Sequence, residues 1–354
     1  MTFLARYLIK NNIMLLFLLC LIISTLYCIF NFIDNKSSMT LAPSLWIILK
    51  YYLLSIPYIV NLLFGLLFFL SVVIQCTIMV RQKEILALLS SGISLRQIMT
   101  IFFYYSLFLV VFSFIMTESG ILAERAAREV YRHEIRQRPK LPQAFTNLWF
   151  TKNNMIIHLG TLISSTKELN EITIYMYTYD MKTIQKQLSS NHGILENNTI
   201  TLNDVKQIDF QNSIITMLPF IEIPLAIDVH AIEVANTKLT ELTFLDIIQA
   251  IHILENVGFD TTILHSGIHS SITNALSIVI MGILALLIGL TVQNSYLAIG
   301  ISFLTAVVFF LSRQLLQTLA RLKIVNPSLA PWLLLLLWGL ACAIIAYRTL
   351  VPRK

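Results

Sequence analysis

Six apolar runs, three on each side of a long polar stretch, leave this chain few ways to fold. The runs cover residues 13–33, 56–80, 98–116, 272–292, 297–311 and 333–347. A bilayer core about 30 Å thick takes roughly 20 residues at a helical rise of about 1.5 Å each. In lipid every backbone N–H and C=O must be paired inside the segment, so runs like these become helices. The chain is 56% hydrophobic and 12% charged, with a mean hydropathy of +0.75, which excludes an ordinary soluble domain and fits a multi-span membrane protein. Arg6 and Lys10 precede a first run too long for a signal-peptide core, with no small-residue cleavage site after it. It reads as an uncleaved span. Residues 34–54, with Pro43 and Trp46, read as an interfacial loop and short helix, and Pro57 as a proline near the start of the second span.

Between the second and third runs lies RQKEILALLSSGISLR, Arg81 to Arg96. Ile85, Leu88, Leu89 and Gly92 recur at helical spacing, and Arg81 and Glu84 share one side of the first turn. Gly92 stands where a helix stops and Ser94 where the next is capped. This predicts a short amphipathic helix joining two spans. Such a helix is either a charged connector or a docking element that receives force from a soluble partner.

Residues 121–138, ILAERAAREVYRHEIRQR, are charged and helical in pattern and would carry the third span out of the membrane. From about Phe145 to Met217 the period changes to two. NLWFT-KNN-MIIHLG predicts a hairpin with Asn153 and Asn154 in its turn; EITIYMYTYD, LSSNHGIL, TITLNDV and SIITML follow, with turns at Glu196–Asn198 and near Asn212. Short strands in succession predict an antiparallel sandwich or an open jelly roll. Trp149, Ile157, Ile174 and Tyr177 are the candidates for positions near its core or an apolar groove. A capping box at Thr243–Asp246 opens a helix that stops at Gly258 and leads back to the membrane. The predicted fold is membrane α-helical: residues 1–120 carry helices 1–3 with a coupling helix at 81–92. Residues 121–265 carry an inserted all-β, jelly-roll-like domain with flanking helices, and 266–354 helices 4–6.

An even number of spans puts both ends on one side. Arg6, Lys10, Arg81, Lys83, Arg96, Arg348, Arg353 and Lys354 then share one face, against Lys36, Lys50, Arg313, Arg321 and Lys323 on the other. The excess places the termini and the 81–96 stretch in the cytoplasm and the β domain outside, in a bacterial inner membrane the periplasm. The net charge of +6 serves that orientation and calls for no nucleic-acid partner.

The chain has no GxxxxGK[ST], HExxH or GxSxG, so it holds no ATPase site of its own and no recognisable catalytic motif, and it calls for no cofactor. Cys20, Cys28, Cys76 and Cys342 all fall in apolar runs, which excludes a disulfide framework. His265 and His269 are one helical turn apart, but no nearby carboxylate completes a metal site, and they read as interfacial. Arg125, Arg128 and Arg132 line one helical face, and Lys36, Arg321 and Lys323 stand at span ends. These are snorkelling side chains on a solvated face, or a cationic rim for the phosphates of an anionic lipid.

Taken together, the six-span frame, the insert after span three, RQKEILALLSSGIS, FNFID, LWF…NNMIIHLG and NPSLAPW resemble the LptF/LptG permease family of the lipopolysaccharide exporter, most like its G-type subunit. The resemblance covers essentially the whole chain. It implies a complex with a homologous F-type permease and a dimeric cytoplasmic ABC ATPase that uses the ATP. Periplasmic jelly-roll bridge proteins would receive the lipopolysaccharide. It makes Arg81, Glu84, Ile85, Leu88 and Gly92 the ATPase-coupling residues and Lys36 a phosphate-binding one; the cationic-rim reading adds Arg128, Arg132, Arg321 and Lys323. Two departures stand out: Asn31 occupies a position where related G-type chains carry a lysine, and ESGILAERAA lacks the family's proline after span three. An FtsX-like or MacB-like mechanotransmission subunit carries a similar coupling stretch, but its extracytoplasmic domain follows the first span. A membrane enzyme with a catalytic β domain lacks a catalytic constellation here.

Overall fold

A computed structural model describes residues 2–35, 44–136, 144–152, 154–178, 183–196, 199–224, 242–257, 261–292 and 294–350. Its helices are α1 (Thr2–Asn35), α2 (Leu45–Arg81), α3 (Glu84–Ser90) and α4 (Leu95–Val130), the last continued by a π-helical turn, Tyr131–Ile135. After six strands come α5 (Phe244–Val257), α6 (Thr262–Thr291), α7 (Ser295–Arg321) and α8 (Ala330–Leu350). Six of the helices, α1, α2, α4, α6, α7 and α8, are long and apolar enough to cross a membrane. The chain divides into two compact units: Met1–Gln137 with Ser266–Lys354, and Arg138–His265.

In the first unit, the interfacial short helix expected before the second span is the beginning of α2 itself, which runs unbroken through Pro57. Proline removes one N–H, a loss that a membrane helix tolerates when neighbours pack against the freed backbone. Helix α4 packs closely at the proline: a Cβ on Gly120 would stand 3.3 Å from the Pro57 carbonyl oxygen. Residues 121–135 do extend the third span, as α4 and its π turn. The core is built on α2, with Leu67, Phe68, Phe69, Val72 and Val73 almost wholly buried. Helix α6 reaches it through glycine: a Cβ on Gly282 would meet the Phe68 ring at 2.7 Å, and one on Gly289 the Cβ of Cys76 at 2.5 Å. Small residues let membrane helices approach closely where no hydrophobic effect drives them together.

The second unit is one six-stranded antiparallel sheet: β1 (Ala144–Lys152), β2 (Met155–Ile163), β3 (Glu168–Tyr177), β4 (Ile184–Glu196), β5 (Thr199–Asp209) and β6 (Ile214–Pro224). The inserted all-β domain is there, and the hairpin turn falls where expected, since Lys152 pairs with Met155. Each described strand pairs only with its neighbours in sequence, so the described strands make a meander, without the crossover of a Greek key.

A single sheet has two open faces, yet thirteen of its apolar side chains form a core at 6% exposure or less. A crease explains this. One position in each strand lacks a cross-strand partner, and these lie in one line across the sheet: Asn147, Gly160, Glu171, Asn191, Asp204 and Pro219; between β4 and β5 the lapse also takes in Ser190 and Val205. Asn147, Glu171 and Asp204, on alternate strands, are left-handed, with φ of 57°, 55° and 50°. Beside the line, inward residues are spaced by three instead of two: Leu159 and Leu162, Leu169 and Ile172, Leu202 and Val205. The register is the same on both sides of the line, so no strand gains a residue on its neighbour there; the three left-handed residues turn the strands. Repeated in register, this turn folds the sheet so that both halves contribute to the same core.

Candidate functional site

The α2–α3–α4 corner is built by local rules. Helix α2 ends at Arg81, and Lys83 turns the chain in the left-handed conformation, φ 60°. Glu84 opens α3 with its carboxylate at the helix N-terminus, the favourable end for negative charge. Gly92, at φ 86°, closes α3: its N–H donates to the Leu89 carbonyl and that of Ile93 to the Leu88 carbonyl. These are the two bonds of a Schellman motif, which needs the conformation glycine adopts freely. Ser94 then opens α4 with a full capping box: its Oγ accepts from Gln97 N at 3.4 Å, and its N donates to Gln97 Oε1 at 3.0 Å.

The faces of α3 are unequal. Ile85 and Leu88, read as coupling residues, pack with Ile93 against the transmembrane core. Leu86, at 65% exposure, and Leu89, at 39%, point outward with Ala87. Arg81 and Lys83 are exposed. Glu84 is not paired with Arg81: both of its oxygens accept from the Tyr7 hydroxyl, at 3.2 and 3.1 Å. This partner is 77 positions away, and nothing local in the sequence announces it.

At the opposite ends of the same helices, α1, α2 and α4 meet in a polar and aromatic cluster. Tyr131 donates to Asn35 Oδ1 at 2.6 Å and Tyr51 to Asn31 Oδ1 at 3.4 Å. Asn31 therefore works here as an acceptor between helices. The π turn carries Arg136 back onto Tyr131, with Nε 3.0 Å from the hydroxyl and the guanidinium 4.9 Å over the ring. Of the candidate phosphate-binding residues, Arg128 pairs with Glu124 at 3.2 Å and Arg132 is exposed on the π turn. Arg321, exposed, is the last residue of α7; Lys323, also exposed, holds the left-handed position that ends it, φ 56°. Lys36 lies outside the described residues.

A family model described as "Lipopolysaccharide export system permease LptF/LptG" matches residues 6–348. The chain belongs to the LptF/LptG permease family. Compared with curated proteins, the sequence finds no significant match. Membership makes the chain a membrane subunit of the lipopolysaccharide-export ABC system, and the six spans with an inserted antiparallel β domain agree with it.

In this LptF/LptG chain the four β-domain candidates are divided by the sheet. Ile157 and Ile174 face each other across β2 and β3, both wholly buried in the core. Trp149 is half-exposed, stacked on its cross-strand partner His158 at 4.3 Å between ring centroids. Both donate to Asn147 Oδ1, on the crease, Trp149 Nε1 at 3.0 Å and His158 Nε2 at 2.9 Å. Tyr177 is partly buried at the end of β3, where the register with β4 shifts. The last strand, β6, carries the exposed apolar residues Ile214, Ile215, Met217 and Phe220 at one edge of the sheet. The two histidines weighed as a metal pair have other partners. His265 lies 2.9 Å from Glu255 Oε1, and His269 accepts from the Trp332 indole at 3.4 Å. The His265 contact holds the Glu255 carboxyl below its ordinary value, helped by the Thr261 hydroxyl.

Proposed function

We propose that this chain is the G-type permease subunit, with α3 as its port for a dimeric cytoplasmic ABC ATPase. FNFID and the LWF…NNMIIHLG start of the β domain support the G-type reading. The observation that carries the port is the division of α3. Ile85 and Leu88 lock the helix to the spans, while Leu86 and Leu89 present apolar surface beside exposed charge. An amphipathic helix whose inner face is packed against the spans transmits a push without slipping. The basic excess on the terminal side puts both ends and α3 in the cytoplasm and the β domain in the periplasm.

The substrate is lipopolysaccharide. Its phosphates meet Lys36, Arg128, Arg132, Arg321 and Lys323, and charge-assisted contacts of this kind are the strong ones. The chain works beside a homologous F-type permease. It passes substrate to periplasmic jelly-roll bridge proteins, for which the β6 edge, unpaired among the described residues and carrying apolar side chains, is a ready strand partner. It performs no hydrolysis itself and needs no cofactor; ATP is consumed by the partner. Affinity purification of the full chain tests the reading. A P-loop ATPase and a second six-span chain should co-purify, and ATP should drive lipopolysaccharide out of proteoliposomes containing all three. Glu84→Ala should weaken assembly or transport while the chain still inserts. Recovery of the chain without an ATPase would overturn the proposal.

A further inference from the structure

The inner end of α1 is tied to its neighbours at three successive levels. Tyr7 shares its hydroxyl proton between the two carboxylate oxygens of Glu84 on α3. One residue on, the Leu8 carbonyl accepts from Gln75 Nε2 of α2 at 2.9 Å. One helical turn further, Asn12 Nδ2 donates to Ser71 Oγ of α2 at 3.2 Å. Asn12, Ser71 and Gln75 are at most 3% exposed. Polar side chains are costly to bury in a membrane unless they find partners, and interhelical bonds of this kind resist sliding.

Beyond Asn12, one face of α1, with Leu16, Leu19, Cys20 and Ile23, packs on the core by apolar contact, and the other faces outward. Ile13, Met14, Phe17, Leu18, Leu21 and Ile22 are all exposed. The helix is gripped at its inner end by α3 and α2 and at its outer end by the asparagine and tyrosine cluster. Of the inner grips, two go to α2. Tyr7 alone supplies a hydrogen bond from α1 to α3 among the described residues, and Arg81 and Lys83, in the same corner, form no ion pair with Glu84.

We infer that Tyr7 is a positioning residue for energy coupling: it makes the inner end of α1 move with α3. The inference rests on α3 being the ATPase port. A displacement imposed on α3 reaches α1 through the Glu84 carboxylate, and α1 carries it toward the outer cluster.

The test uses the complex of this chain with its ATPase and second permease in proteoliposomes, reading lipopolysaccharide released per ATP hydrolysed. Tyr7→Phe removes only the hydroxyl and should lower that ratio several-fold while the amount of ATPase co-purified stays the same. Glu84→Gln should lower it as well, and the double variant should fall no further than Glu84→Gln alone. In a chain whose four native cysteines are replaced by alanine, a short bismaleimide joining Tyr7→Cys to Glu84→Cys should restore the ratio. A wild-type ratio in Tyr7→Phe, or no restoration on bridging, overturns the inference and leaves the port standing. A wild-type chain that binds no ATPase overturns both.

Discussion

Gly160 on β2 faces Glu171 on β3 so closely that a Cβ on the glycine would stand 2.7 Å from the Cβ of Glu171. The Asn170 carbonyl oxygen would be only 3.1 Å away, so the backbone of β3 blocks the space too. Glu171 is one of the left-handed residues of the crease. Gly160→Ala should therefore destabilise the β domain by about 1–3 kcal/mol, the usual range for overpacking. Limited proteolysis of the full chain in detergent, followed at sites in the β domain, reads this directly; wild-type resistance would mean the strands can separate without cost.

The same close approach in the membrane unit gives a chemical readout. Cys76 is buried on α2, against Gly289 of α6. With Cys76 as the sole cysteine, a maleimide should label it only after denaturation. Gly289→Ala forces the helices apart and should make it reactive in the folded chain. Equal labelling with and without the substitution would count against the contact.

The two faces of α3 should separate assembly from stability. Leu86→Asp places a charge on the outward face and should reduce co-purification of the ATPase while leaving thermal stability in detergent within about 0.5 kcal/mol of wild type. Leu88→Ala trims a residue packed on the spans and should cost about 1–2 kcal/mol, below the range for a fully buried leucine. The opposite pattern would reverse the assignment of faces.

Asp209 closes the β5–β6 turn. Its carboxylate accepts from the N–H of Asn212 at 3.2 Å and of Gln211 at 3.0 Å, and from the Asn212 side-chain amide at 3.1 Å. The backbone bond from Asn212, foremost among these contacts, holds the carboxyl below its ordinary value. A depressed carboxyl stabilises the fold above its unfolded pKa, and that contribution is lost as pH falls through the folded one. The turn should therefore loosen only below about pH 4, the ordinary aspartate value. Amide chemical shifts of Gln211 and Asn212 should stay constant above that pH and move below it. In Asp209→Asn this acid-induced movement should vanish.

What the sequence made legible was local. The cap at Ser94, the capping box at Thr243, the stop at Gly92 and the hairpin between Lys152 and Met155 each rest on residues at most three apart. The sequence proposed Trp149, Ile157, Ile174 and Tyr177 alike for the core or a groove; the sheet buries Ile157 and Ile174 and leaves Trp149 exposed. The crease escaped because its left-handed positions include Glu171, a residue type with little turn preference. Only the alignment of six strands gives it meaning. The division of α3 escaped because Leu86, Leu88 and Leu89 are alike in composition, and only the neighbouring spans distinguish them. The partner of Glu84 escaped for the same reason: Arg81 was near in sequence, whereas Tyr7 is near in space.

The crease also acts as a ruler. Each strand must reach it after a set number of residues, or its apolar side chains leave the core on one side of the line. Substituting an outward residue changes one side chain; inserting a single residue between the crease and a turn inverts every side chain beyond it. The β domain should thus accept wide variation in what its strands are made of and almost none in how long they are.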